Sequence, residues 1–198
     1  IVRQNVRFSR TSLPCQIIGT LPFYAEMVSM DLAAGRFLTT NDEQHQDNVC
    51  AITESLAKKL FPYQNPLNQA VRVGDIYFQV VGLVRETNRP EERTQKSKSE
   101  GETIDNNLYI PMSTSRKRFG EILVRRTAGS FQAERIELHQ ITVQMETIDD
   151  VEAAQPQIET VIEKFHSQND YELIVPLQLL RQAEETKRIF NIVLGSIA

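Results

Sequence analysis

Between residues 48 and 84 the chain reads NVCAI, TESLAKKLF, PYQNPLNQ, AVRV, GD, IYFQVVGLV. No other stretch restricts the fold as much. Residues 48–52 alternate apolar and polar and suit a strand. Thr53 is placed to accept a hydrogen bond from a free N–H of the next turn, which is N-cap chemistry. Leu56, Ala57, Leu60 and Phe61 then share one helical face, and Pro62 and Pro66 end the helix. Gly74 and Asp75 separate two alternating runs and supply the positive φ of a tight hairpin turn. Beyond the turn, period-two geometry predicts Ile76, Phe78, Val80 and Val84 on one side. It places Tyr77, Gln79, Val81 and Leu83 on the other. A strand, a short helix and a hairpin make an α+β nucleus, and nothing in it is chemically reactive.

The flanks extend this pattern. Residues 2–8 and 15–18 read as strands, and residues 23–30 as one or two helical turns with Pro22 at the start. Gly35 is a turn or helix C-cap residue followed by the anchor Phe37, and residues 39–47 form a polar loop. From 86 to 107 apolar residues almost vanish. Such a segment has too little to bury to offset its ordering entropy, so a long mobile loop is expected, with a docking role as the functional alternative. Residues 108–111 return as a strand and 114–119 as a helical turn, and 121–135 suit an exposed hairpin or loop.

A second unit follows. Residues 136–145 alternate as a strand. Val151, Ala154, Ile158, Val161, Ile162 and Phe165 form a helical stripe with Asp149 and Asp150 at its positive end. Pro156 implies a late start or a kink. With a strand at 171–175 the unit reads β-α-β. Residues 177–198 suit a helix whose first part is polar and whose end, IFNIVLGSIA, is apolar. A span needs about 20 apolar residues, so the end suits either a buried helix or, preferably, a truncated transmembrane segment. Ile1 opens within a strand-like run, and a piece of a longer protein is expected.

Several function classes lack their signatures. The 22 basic and 26 acidic residues are scattered and the net charge is −4, so nucleic acid is not an expected partner. Cys15 and Cys50 form no C-x-x-C pair and read as two small buried hydrophobes rather than a disulfide. His45, His139 and His166 lack metal-ligand spacing and read as structural. The pairs Glu91-Glu92, Asp149-Asp150 and Glu184-Glu185 are adjacent, so their side chains diverge and form no acid–base dyad. No phosphate loop, G-x-S-x-G or H-E-x-x-H motif occurs. No catalytic, cofactor-binding or metal-binding residue is assigned.

The order of segments resembles the periplasmic core domain of MacB-type, or type VII, ABC transporter permeases. The resemblance rests on Leu32-Ala33-Ala34-Gly35-Arg36-Phe37, on residues 49–61 with I-T-E-S-L-A-K-K-L-F, and on 71–84 with Gly74 and Val81-Gly82. It rests also on Leu108-Tyr109-Ile110-Pro111, Ile141-Thr142-Val143 and residues 166–171. It implies a two-lobed α+β extracytoplasmic domain. A porter-like lobe would comprise 1–19 plus 136–176, with a Sabre-like mixed α/β lobe inserted at 20–135 and residues 177–198 leading into the membrane. The family's first strand-helix unit and first membrane span have no counterpart here, and the 86–107 loop is longer than usual.

The resemblance further implies a non-catalytic relay of ATP-driven motion in the inner membrane, facing the periplasm. Its expected partners are a cytoplasmic ATP-binding subunit or domain, a second permease copy and a periplasmic adaptor. The reading from residues alone also allows a free-standing soluble ligand-binding domain or enzyme.

Overall fold

A computed structural model describes residues 1–85, 106–120, 122–127, 130–135, 138–166 and 171–175, together with Thr186 and Ile189. The chain divides into two units, Ile1–Ile141 and Thr142–Ala198.

The first unit is built on a strand ring. Its strands are β1 (Val2–Phe8), β2 (Thr11–Thr20), β3 (Leu32–Gly35), β4 (Val49–Thr53), β5 (Ala70–Val73), β6 (Ile76–Val84) and β7 (Asn107–Pro111). Their order is β3-β6-β4-β7-β2-β1-β5, with a further β5–β6 pairing. That last pairing closes six strands on themselves and leaves β3 as a branch on β6. The β2–β7 and β4–β6 pairs are parallel and the others antiparallel. Closure removes free edges from the six strands, and a ring this small is filled by side chains. Val6, Ile17, Ile52, Val71, Phe78 and Leu108 fill it, none more than 1% exposed.

Helix α3 (Glu54–Leu60) packs Leu56 and Leu60 onto the same cluster, and Phe61 follows them. Helix α4 (Met112–Phe119) lies on β2 and β7 and stacks Phe119 on Phe78, centroids 6.4 Å apart. Outside the ring a second cluster gathers Phe37, Leu38, Val49, Ala51, Val84 and Tyr109. Tyr24 from helix α1 (Tyr24–Met27), together with Met30, packs against it. Helix α2 (Thr40–His45) occupies part of the expected 39–47 loop. An antiparallel hairpin, β8 (Ile122–Thr127) and β9 (Ser130–Arg135), falls where an exposed hairpin or loop was expected.

Three expectations change for physical reasons. Alternation does not persist through β6: Cys50 pairs with Val80 but Ala51 pairs with Gly82, so Val81 is the extra residue of a bulge. The bulge reverses the faces beyond it, and Leu83 packs on the interior cluster while Val84 joins the outer one. Thr53 precedes α3 without capping it by its side chain. Its hydroxyl instead accepts from the Asn107 N–H at 3.2 Å, tying β4 to β7. Gly35 ends a strand, not a helix, at φ +74. Residues 1–19 pair with β5 and β7 inside the unit Ile1–Ile141. A period-two pattern marks a strand, but it does not name the partner.

Expectations for 86–105 and for most of 177–198 lie outside the described residues. Asn106 and Asn107, assigned to the polar loop, are structural. Asn106 donates to the Pro14 carbonyl at 3.1 Å and accepts from Lys59 Nζ at 3.0 Å, and Asn107 begins β7.

In the second unit, helix α5 (Ile148–Phe165) runs through Pro156 instead of starting after it. Thr147 caps its start, accepting from the Asp150 N–H at 3.2 Å and donating to the Asp150 carboxylate at 2.6 Å. Residues 142–145 and 171–175 carry no strand assignment, so the expected β-α-β ladder is not formed among the described residues. The side-chain pattern at 171–175 still alternates, with Tyr171, Leu173 and Val175 half-buried. Strand propensity alone forms no ladder without a neighbour to bond. No helix among the described residues is long and apolar enough to cross a membrane.

Cys15 and Cys50 are both free and buried. Strand β7 lies between their strands, which explains why no bridge forms. Burial pushes the Cys15 thiol up to about 12 and the Cys50 thiol higher than its ordinary value. Because the thiolate is the reactive form, neither thiol should react with Ellman's reagent at pH 8 in the native protein, and both should react in denaturant. Stoichiometric labelling of either thiol within minutes under native conditions would contradict this.

Candidate functional site

The most constrained corner of the molecule is where β3 leaves the ring. Gly35 faces Gly82 across the β3–β6 pair, and the backbones touch. A Cβ on Gly82 would lie 2.0 Å from the Arg36 carbonyl oxygen, and one on Gly35 2.3 Å from that of Val81. The bulge at Val81 supplies the acceptor for the Arg36 N–H at 3.0 Å. The chain direction is thereby set, and the Arg36 side chain turns back toward α2.

There it meets Asp42, whose side chain is 4% exposed. Arg36 Nη1 and Nη2 donate to the two carboxylate oxygens at 2.6 and 2.9 Å, a bidentate pair. The Thr39 N–H and hydroxyl donate to Asp42 Oδ2 at 2.8 and 2.7 Å, and the Asp42 N–H donates back to Thr39 Oγ1 at 3.3 Å. This is a capping box, so one carboxylate starts a helix and holds an arginine. Burial on its own would raise the Asp42 pKa, but the hydrogen bonds from Arg36 and Thr39 outweigh it and hold the carboxyl below its ordinary 3.8.

Helix α2 is in turn tied to α4. The Ser113 N–H donates to Glu43 Oε1 at 2.9 Å, and the Ser113 hydroxyl to the Glu43 carbonyl at 2.7 Å. The Thr114 hydroxyl reaches the Asp47 carbonyl at 3.0 Å, and Lys117 reaches Gln46 at 2.7 Å. Beside this seam lies an open depression of about 550 Å³ lined mainly by Arg36, Asn41, Asp47, Asn48, Asn68 and Gln79. Its lining is carboxamides and charges over Val49 and Val81, and includes no Ser, Thr, Cys, Lys or His. With the Arg36 guanidinium engaged by Asp42, the corner acts chemically as a lock that sets geometry.

The residues singled out in the sequence are not brought together. His45 is exposed on α2, with Nδ1 2.9 Å from the Asn41 carbonyl. His139 is exposed, and His166 is the α5 C-cap, edge-on to Tyr171 at 6.5 Å. Asp150 serves the α5 cap, while both glutamate pairs lie outside the described residues. No group of three or more potential metal ligands occurs among the described residues. Asp42 was missed. Its signal was present, because Thr39-x-x-Asp42 fits the capping-box pattern.

Comparison with known proteins follows this geometry. The model of the MacB-like periplasmic core domain family matches residues 1–161. The macrolide export ATP-binding/permease protein MacB of Rhodospirillum rubrum is 24% identical over 183 residues, 92% of this chain and 25% of that protein. The pyoverdine export ATP-binding/permease protein PvdT of Pseudomonas aeruginosa is 25% identical over 194 residues, 98% of this chain and 26% of its own length. The chain therefore spans about a quarter of the length of these relatives.

Among solved structures, the periplasmic region of MacB from Actinobacillus actinomycetemcomitans aligns with a TM-score of 0.59 at 20% identity. The alignment covers 93% of this chain and 72% of that one. The extracellular domain of the ABC-type transporter YknZ from Gram-positive bacteria aligns with a TM-score of 0.61 at 18% identity, over 85% and 74% of the two chains. The fold is shared with both.

Proposed function

The chain belongs to the MacB-like periplasmic core domain family, and from that premise we propose that it is the non-catalytic, extracytoplasmic module of an ABC transporter permease. In this role it relays motion driven by a cytoplasmic ATPase, pairs with a second permease copy and offers a platform to a periplasmic adaptor. The observation that carries the reading is the family match across residues 1–161. The printed names of the relatives, which join ATP binding to export, support it. On the same reading the strand ring is the Sabre-like lobe, and the α5 unit is part of the porter-like lobe.

The physical requirement of a relay is stiffness. A closed ring with a side-chain-filled interior deforms little. A helix running from 177 into the membrane, rising about 1.5 Å per residue, would transmit displacement, whereas a flexible linker would dissipate it. The test is a Gly-Ser insertion after Gln178 in the intact transporter. Export should be lost, assayed with macrolides and with pyoverdine, while ATP hydrolysis and membrane insertion persist. Export continuing at the unmodified rate would refute the relay and leave the platform role alone.

A further inference from the structure

Among the described residues of the first unit, Phe37, Leu38, Tyr24 and Met30 lie over the outward residues of β4 and β7. No such cluster of described residues lies over the outward side of β1 and β5, where a row of paired residues crosses the strands. Tyr77 of β6 is opposite Arg72 of β5, Arg72 is opposite Arg7 of β1, and Arg7 is opposite Ser12 of β2. Directly opposed residues of antiparallel strands project to the same face, so these four share one surface. Tyr77 is 60% exposed and Arg7 is exposed.

Arg7 against Arg72 is the unusual element. Like charges directly opposite each other destabilise a strand pair. The compensation among the described residues is small: Arg72 donates to the Gly74 carbonyl at 2.8 Å and to Asp75, itself almost fully exposed, at 2.7 Å. Among the described residues, Arg7 has one long hydrogen bond, to Ser12 at 3.4 Å. The adjoining N-terminal sequence supplies no acid. Between Ile1 and Thr20 there are three arginines, Arg3, Arg7 and Arg10, and no Asp or Glu, although the whole chain carries −4. Real proteins break such local rules at functional sites, and this one is broken with little compensation.

We propose that this face is a docking surface for an acidic segment of a partner protein, a carboxylate of which bridges Arg7 and Arg72 beside Tyr77. A carboxylate between the two guanidinium groups turns their repulsion into two charge-assisted hydrogen bonds. The residue types favour a protein over a lipid surface. Anionic-lipid recognition uses clusters of about four to eight mixed Lys and Arg. The four cations here, Arg3, Arg7, Arg10 and Arg72, are at the lower end of that range and are all arginine, the residue suited to planar bidentate pairing, and Tyr and Arg are the anchors enriched at protein interfaces. The proposal stands whether or not the domain relays motion.

The test uses the full chain and a fluorescent ten-residue polyglutamate peptide, with phosphatidylglycerol vesicles in a parallel arm. The peptide should bind, and Arg7→Gln with Arg72→Gln together should weaken it about tenfold or more. The control Lys117→Gln with Arg118→Gln on α4 should change it less than about twofold. Arg7→Gln alone should leave the melting temperature unchanged or raised, because it removes an opposed like charge. The proposal is overturned if the peptide fails to bind or if the α4 control weakens it equally. Preference for the vesicles would assign the face to a membrane and overturn it too. A lowered melting temperature for Arg7→Gln would make Arg7 structural, with the same consequence.

Discussion

Gly82→Ala should destabilise the first unit by about 3 kcal/mol, at the upper end of the usual overpacking penalty. For a unit of this size, that lowers the melting temperature by roughly 6–12 °C. The cause is steric. The new methyl would sit 2.0 Å from the Arg36 carbonyl oxygen and 2.9 Å from its carbon, both backbone atoms of the segment that follows β3. A side chain could rotate away, but this backbone is held by the Arg36 N–H bond to Val81 and the bidentate Arg36–Asp42 pair. Relief therefore requires β3 to part from β6. Gly82 has no positive φ, so backbone conformation adds nothing to this cost. Thermal melts of Gly82→Ala and wild type should differ by that amount. A melting temperature lowered by less than about 3 °C would mean that the backbone yields and that the close approach does not hold β3 to β6.

Asp42→Asn should cost about 2 kcal/mol at pH 7, combining a weakened helix cap with the loss of charge-assisted hydrogen bonds. Arg36 is half exposed, so the ion pair by itself adds modestly to this. The pH dependence is the sharper signature. The folded pKa lies below the ordinary 3.8, so the stabilisation is complete above that value and disappears as pH falls through the lower folded one. Urea melts of wild type and variant should thus be separated at pH 7 and converge well below pH 4. A gap that is constant from pH 7 to pH 2.5 would show that the carboxylate charge contributes nothing. Thr39→Val, which removes the hydroxyl but leaves the carboxylate, should retain most of the pH dependence.

Much of the local structure followed from residues alone. The Gly74-Asp75 turn, the strands on either side, α3 ahead of Pro62 and the α5 stripe each depend on neighbours within a few positions. Chain stereochemistry and side-chain periodicity decide such features before any long-range contact forms. The ordered series of motifs from Leu32-Ala33-Ala34-Gly35-Arg36-Phe37 through Ile141-Thr142-Val143 also identified the family, because spacing is a property of the sequence itself.

The ring, the bulge and the lock were decided elsewhere. Whether β1 joins β5 depends on which pairing buries Val6, Val71 and Phe78 together, and no periodicity encodes a partner strand. Val81 alternates perfectly well on paper. It becomes a bulge because β6 must bond to β4, β5 and β3 while Gly82 passes against Gly35. The Thr53 hydroxyl faced a similar competition and accepts from the Asn107 N–H across the sheet instead of capping a backbone N–H of its own helix. The Arg7–Arg72 opposition is a consequence of register too. In sequence the two arginines are 65 positions apart and unremarkable, and only closure of the ring sets like charges side by side. Short-range chemistry thus determined the elements of this protein, and the shared burial of distant side chains determined how they meet.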